Sequence, residues 1–141
     1  MRASILAAIA LAVSAQTSLQ PFAGTWTATF KGQTQVRLEL REGGGSLTGQ
    51  ISLGDVHVDK DGVVDVLIKP AIDVTPLFDV ALKDGVLSFS RKDGNDTDRF
   101  ELRLVGDAID LRFLITPEFA AELARDGIAL PAPVRLTRSP R

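Results

Sequence analysis

With 141 residues and 45% hydrophobic side chains, the chain has the length of one domain and enough apolar material for a core. Its 16 basic and 18 acidic side chains give a formal charge of −2, and signs alternate as in Arg37-x-Glu39-x-Arg41, which argues against nucleic-acid or anionic-lipid partners. It has no cysteine and one histidine, His57, which removes disulfides, a lipoprotein anchor, thiol catalysis and metal sites built on two or more histidines, and leaves a triad only this one candidate base.

In chain order, Arg2, the apolar run from Ile5 to Val13 and the small residues Val13-Ser14-Ala15 read as a secretory signal peptide over residues 1–15. The run is shorter than the ~20 apolar residues of a membrane span. The expected product is a secreted or periplasmic protein with no stable membrane anchor, its residues 16–141 forming a single domain.

Alternation of apolar and polar residues then marks strands. Thr25–Lys31 puts Trp26, Ala28 and Phe30 on one face, and Lys31-Gly32-Gln33 turns into Thr34–Glu42, with Val36, Leu38 and Leu40 inward. After Gly43-Gly44-Gly45, Ser46–Leu53 aligns Leu47, Gly49, Ile51 and Leu53. Val56–Asp59 passes through Lys60-Asp61-Gly62 into Val63–Lys69. Proline cannot serve a central strand, so Pro70 to Pro76 reads as a loop. Its apolar residues Ile72 and Val74, with Leu77 just beyond, are the candidate lid: a plug over a barrel end or a contact patch.

Pairing resumes with Leu77–Lys83 (Phe78, Val80 and Leu82 inward), Val86–Lys92 (Leu87, Phe89), Thr97–Val105 (Phe100, Leu102, Leu104) and Ala108–Ile115 (Ile109, Leu111, Phe113). Lys83-Asp84-Gly85, Lys92-Asp93-Gly94 and Gly106-Asp107 carry the residues tight hairpin turns require. Thr116, Pro117 and Glu118 open a helix that Arg125 and Gly127 close, with Phe119, Ala120 and Leu123 as its packing stripe. Val134–Arg138 is a last short strand. The fold class is therefore all-β: an antiparallel up-and-down β-barrel of eight to ten strands with one short helix near the C-terminus, a two-sheet sandwich being the alternative.

Catalytic chemistry is poorly supplied. His57 alternates with Val56 and Val58 and faces solvent. Asp55, Asp59, Asp61 and Asp65 fail the EF-hand frame, because Gly62 at loop position six puts His57 at one and Ile68 at twelve; they read as turn residues, and no metal is expected. Asp93, Asp96 and Asp98 read the same way. Glu42, Asp98 and Arg91 share inward parity at strand ends and could trim a mouth, or simply meet water there. With no nucleophile–base pair, neither enzymatic activity nor a cofactor is expected.

Gly24-Thr25-Trp26 at the first strand, Leu47-Thr48-Gly49 and Leu136-Thr137-Arg138 at the last together resemble lipocalin-like (calycin) barrels, in particular small secreted bacterial domains, over residues 22–138. That family carries an arginine from a late strand across the tryptophan, which implies a barrel-closing pair here. Parity with Val134 and Leu136 nominates Arg138 opposite Trp26, whereas Arg112 is out of phase with Leu111 and Phe113. The short Lys31-Gly32-Gln33 turn departs from the large first loop of lipocalins. The expected function is ligand binding: a carrier holding a small apolar molecule among Trp26, Phe30, Phe89, Phe100 and Phe113. The alternative is a structural or interaction module with a filled core and a cell-envelope protein partner, favoured if the cavity is below ~100 Å³.

Overall fold

In the computed structural model, which describes residues 18–139, a 3-10 turn (Gln20–Phe22) leads into ten strands. These are β1 (Gly24–Phe30), β2 (Gln33–Gly43), β3 (Ser46–Leu53), β4 (Asp55–Val58), β5 (Val64–Lys69), β6 (Thr75–Lys83), β7 (Val86–Asp93), β8 (Asp96–Val105), β9 (Ala108–Leu114) and β10 (Val134–Arg138). One helix, α1 (Pro117–Arg125), precedes β10. The signal peptide expected over residues 1–15 lies outside the described residues. Among the described residues, no helix is long and apolar enough to cross a membrane.

Eight strands close an antiparallel barrel in the order β1-β10-β9-β8-β7-β6-β3-β2, while β4 and β5 form a separate two-stranded hairpin. Turn chemistry explains the up-and-down path. Asp84 (φ 53°) and Gly85 (φ 78°) both adopt the left-handed conformation, and their turn matches the twist of the strands it joins. At the next hairpin the reversal falls one residue later than Lys92-Asp93-Gly94 suggests, on Gly94-Asn95, with Asp93 paired to Asp96.

The wall is uneven. β2 and β3 align eight residue pairs from Val36↔Leu53 to Gly43↔Ser46, but β3 and β6 share two, Gln50↔Pro76 and Ile51↔Thr75. A bulge between Phe78 and Ala81, with Asp79 at φ 52°, diverts β6 from β3. The same bulge reverses the parity of the strand. Leu77, Val80 and Leu82 pack on the core, whereas Phe78, expected inward, carries the Lys92 ammonium 5.8 Å above its ring. Where β3 and β6 part, an open groove of about 330 Å³ runs past Leu19, Leu47 and Leu82.

The middle of the barrel is solid. Leu38, Ile51, Leu87, Leu102, Ile109 and Leu136 are fully buried, and the Phe89 and Phe100 rings stack at 5.2 Å. Burying each such side chain stabilises the fold by roughly 1.5–3 kcal/mol. The helix contributes little to this core. Thr116 Oγ1 caps it, accepting from the Phe119 N–H at 3.2 Å, but Phe119 is half-exposed and no α1 residue is buried, so the expected packing stripe does not form.

Candidate functional site

The two ends of the barrel are built differently. At the end where β1 begins, Trp26 is buried beneath Phe22, and its indole Nε1–H donates to the Phe22 carbonyl at 2.9 Å. Antiparallel pairing puts Arg138 of β10 directly across from Trp26, with the guanidinium carbon 4.2 Å from the ring centroid. Arg138 Nη1 donates to the Ala23 carbonyl and Nη2 to the Pro21 carbonyl at 3.1 Å, so one side chain laces the 3-10 turn to the last strand. Gly24 makes room for this: it sits at φ 132°, and a Cβ there would lie 2.5 Å from Arg138 Nη1. Ser139 continues the latch, its N–H donating to the Thr25 carbonyl at 2.8 Å.

At the opposite end the chain leaves the barrel after β3, and the β4–β5 hairpin folds over the mouth. Gly54 N–H donates to the Gln35 carbonyl at 2.8 Å and Ala71 N–H to the Thr34 carbonyl at 2.9 Å, fastening both ends of the excursion to β2. The tip is held by the Ala132 N–H donating to the Gly62 carbonyl at 2.9 Å. Gly62 must be small, since a Cβ would sit 2.0 Å from the Leu130 carbonyl oxygen. Asp59 shapes this tip: Oδ1 accepts from the N–H groups of Asp61 (2.8 Å) and Val63 (3.1 Å). Its carboxylate thus serves the turn, and among the described residues no three acidic or histidine side chains converge as a metal site.

Between hairpin and barrel lies a partly roofed cavity of about 220 Å³. Val56, Val58 and Val64 form its roof. Val36, Phe100 and Leu111 form its floor, and Leu53, Phe113, Val134 and Pro131 its walls. The Phe100 and Phe113 rings meet edge to face at 4.8 Å. A further bulge, between Ala28 and Thr29 of β1, leaves Gln35 as the extra residue of β2, since Ala28 pairs with Val36 and Thr29 with Thr34. Gln35 and Val36 consequently both reach the cavity, where strict alternation would send one outward.

This geometry redistributes the residues nominated from sequence. Phe100 and Phe113 line the cavity, Phe113 with 39% of its surface still exposed. Trp26 seals the far end, and Phe89 is packed within the solid middle. Phe30 lies at the mouth under the Lys31 ammonium, 5.4 Å from its ring, outside the cavity lining. Ile72 and Val74 are 63% and 55% exposed and plug nothing, while Leu77 packs on the core. The cover is instead the β4–β5 hairpin, because the chain is already tied back to β2 at Ala71 before Ile72 is reached.

The remaining polar candidates separate similarly. Arg91 and Asp98 pair across β7–β8, Nη2 to Oδ2 at 3.0 Å and Nε to Oδ2 at 3.1 Å, and both are largely shielded. Glu42 is exposed beside the Gly43–Ser46 turn at the other end of the barrel, so the three never share a rim. Arg112 is exposed on β9, and His57 is exposed on the outer face of the hairpin, its Nδ1 2.7 Å from Asp65 Oδ1. Sequence reasoning missed the roof valines and Gln35. The breaks at Gly54 and Pro70 mark where the excursion begins and ends, but the bulge that re-aims Gln35 has no signature in the residue pattern. Compared with protein-family models, with curated proteins and with solved structures, the chain matches none.

Proposed function

We propose that this is an exported, lipocalin-like binding protein whose β4–β5 hairpin holds a small apolar ligand against the barrel mouth. The observation that carries the reading is the apolar cavity of about 220 Å³ under that hairpin, at the end opposite the Trp26–Arg138 closure. Its volume exceeds what imperfect packing leaves in a core, where few voids are larger than a water molecule. It also places the ligand at the mouth, against Phe100 and Phe113, rather than along the barrel axis. The chemistry supplied is binding: burial of apolar surface contributes roughly 25 cal/mol per Å², and no nucleophile–base pair lines the cavity.

Native mass spectrometry of the protein purified from its own host tests this. A bound small molecule that leaves on denaturation is the expected result, and only the bare chain overturns it. A second reading, an interaction module for an envelope protein, draws support from the exposed apolar residues Val66, Ile68, Ile72 and Val74 on β5 and the link after it. Host pull-downs that recover a partner, and lose it on Ile68→Lys and Val74→Lys substitution, favour that second reading.

A further inference from the structure

Gln35 contributes the only polar side chain to an otherwise apolar lining, and it is 8% exposed. Its backbone carbonyl accepts from the Gly54 N–H, and its carboxamide is left to the cavity. Its polar atoms are not sealed off, because among the described residues no fully buried side-chain nitrogen or oxygen lacks a partner; the amide therefore faces the open cavity with its hydrogen-bonding capacity free for a ligand. Here a β-bulge turns the side chain to the inner face beside Val36.

We infer that Gln35 is the recognition group of the cavity, and that the ligand is a neutral, single-ring-sized molecule bearing one hydroxyl or carbonyl. This inference rests on the carrier reading above. Size follows from volume: a dry apolar cavity of about 150 Å³ holds benzene, and drug-sized ligands need upwards of about 300 Å³. A space of about 220 Å³ therefore suits one substituted ring or its branched aliphatic equivalent. Neutrality follows from the lining, which offers no Lys, Arg, Asp or Glu to compensate a buried charge. The inward-facing Arg91 and Asp98 at the same mouth already neutralise each other at 3.0 Å. A carboxamide both donates and accepts, so it satisfies a hydroxyl or a carbonyl and is itself satisfied in return.

The test compares toluene, p-cresol and benzoate as probes, titrated into the ¹⁵N-labelled protein and followed at the amides of Gln35, Val58 and Phe113. The expected result is p-cresol binding about tenfold more tightly than toluene, the worth of one buried hydrogen bond. Benzoate binds at least tenfold more weakly than p-cresol. Gln35→Leu then removes the preference by weakening p-cresol relative to toluene; Gln35→Met gives the same comparison should the leucine variant fold poorly. Equal binding of toluene and p-cresol, both blocked by the cavity-filling Val58→Trp, overturns the role of Gln35 and leaves the carrier reading standing. Benzoate binding as tightly as p-cresol overturns neutrality. No shift with any probe overturns both the inference and the carrier reading.

Discussion

The two mouths of this barrel solve the same problem, an apolar interior facing water, with opposite means. One is sealed by a large buried indole, a guanidinium stacked 4.2 Å away and three hydrogen bonds that tie the 3-10 turn to Trp26 and Arg138. The other is bridged by a hairpin fastened through isolated backbone hydrogen bonds at Gly54, Ala71 and Ala132. The second arrangement leaves an apolar space of about 220 Å³ beneath it. Local stability differs in the same sense, since few buried contacts and few hydrogen bonds mark the segments that open most easily.

The sharpest way to break this contrast is Trp26→Ala. Removing a buried aromatic side chain costs about 3–5 kcal/mol, a large share of the 5–15 kcal/mol typical of a domain. Urea denaturation should show a correspondingly lower midpoint, and a loss below about 1 kcal/mol would show that the indole is not a keystone. Gly24→Ala comes next, at about 1–3 kcal/mol, because the new methyl meets Arg138 Nη1 at a strained φ. Combined with Arg138→Ala its effect should shrink, since the collision is then gone; strict additivity would break the link between the two residues.

At the hairpin end the expected effects are smaller and local. Gly62→Ala drives a methyl into the Leu130 carbonyl and should release the hairpin tip. Global stability falls by no more than about 1–2 kcal/mol, while hydrogen exchange at the Ala132 amide rises and probe binding in the cavity weakens. Equal damage at both ends of the barrel would erase the difference between them.

The smallest effect is a pH term on the outer wall. Hydrogen bonds from Arg37 and then Gln50 hold the Glu39 carboxyl below the ordinary glutamate range. A carboxylate stabilised in the folded state contributes stability that is present above its unfolded pKa and lost as pH falls through its lower folded pKa. For a surface pair the contribution stays under about 1 kcal/mol. Glu39→Gln should therefore flatten the acid side of the stability curve slightly, with no change at neutral pH in cavity binding.

The residue pattern carries the barrel well and the site poorly, for one physical reason. Period-two alternation reports which face of a strand is apolar, and that sufficed for Leu38, Ile51, Leu87, Leu102 and Ile109, all now fully buried. A bulge shifts the phase without changing composition, so Phe78 and Gln35 each stand on a face that alternation denies them. Nor does alternation say which sheet a strand joins. Val56–Asp59 and Val63–Lys69 read as ordinary staves, yet the structure removes them from the wall and sets them across the opening. The apolar loop residues Ile72 and Val74 looked like a cover because nothing local reveals that Ala71 is already anchored to Thr34. The Trp26–Arg138 pair, by contrast, is suggested by the resemblance to lipocalin-like barrels; parity only chooses Arg138 over Arg112, and the two residues stand opposite each other in the β1–β10 register.

The two-residue lap between β3 and β6 gives the barrel a line of parting. The β1–β10 junction also aligns only two pairs, but Arg138 and Ser139 lace it to the 3-10 turn and to Thr25, whereas among the described residues no side-chain hydrogen bond spans β3 and β6. Separation along that line would uncover Leu47 and Leu82 while Trp26 and the hairpin tip stayed fastened. The cylinder can therefore slacken sideways, like a cuff with one loose stitch, without surrendering either of its ends.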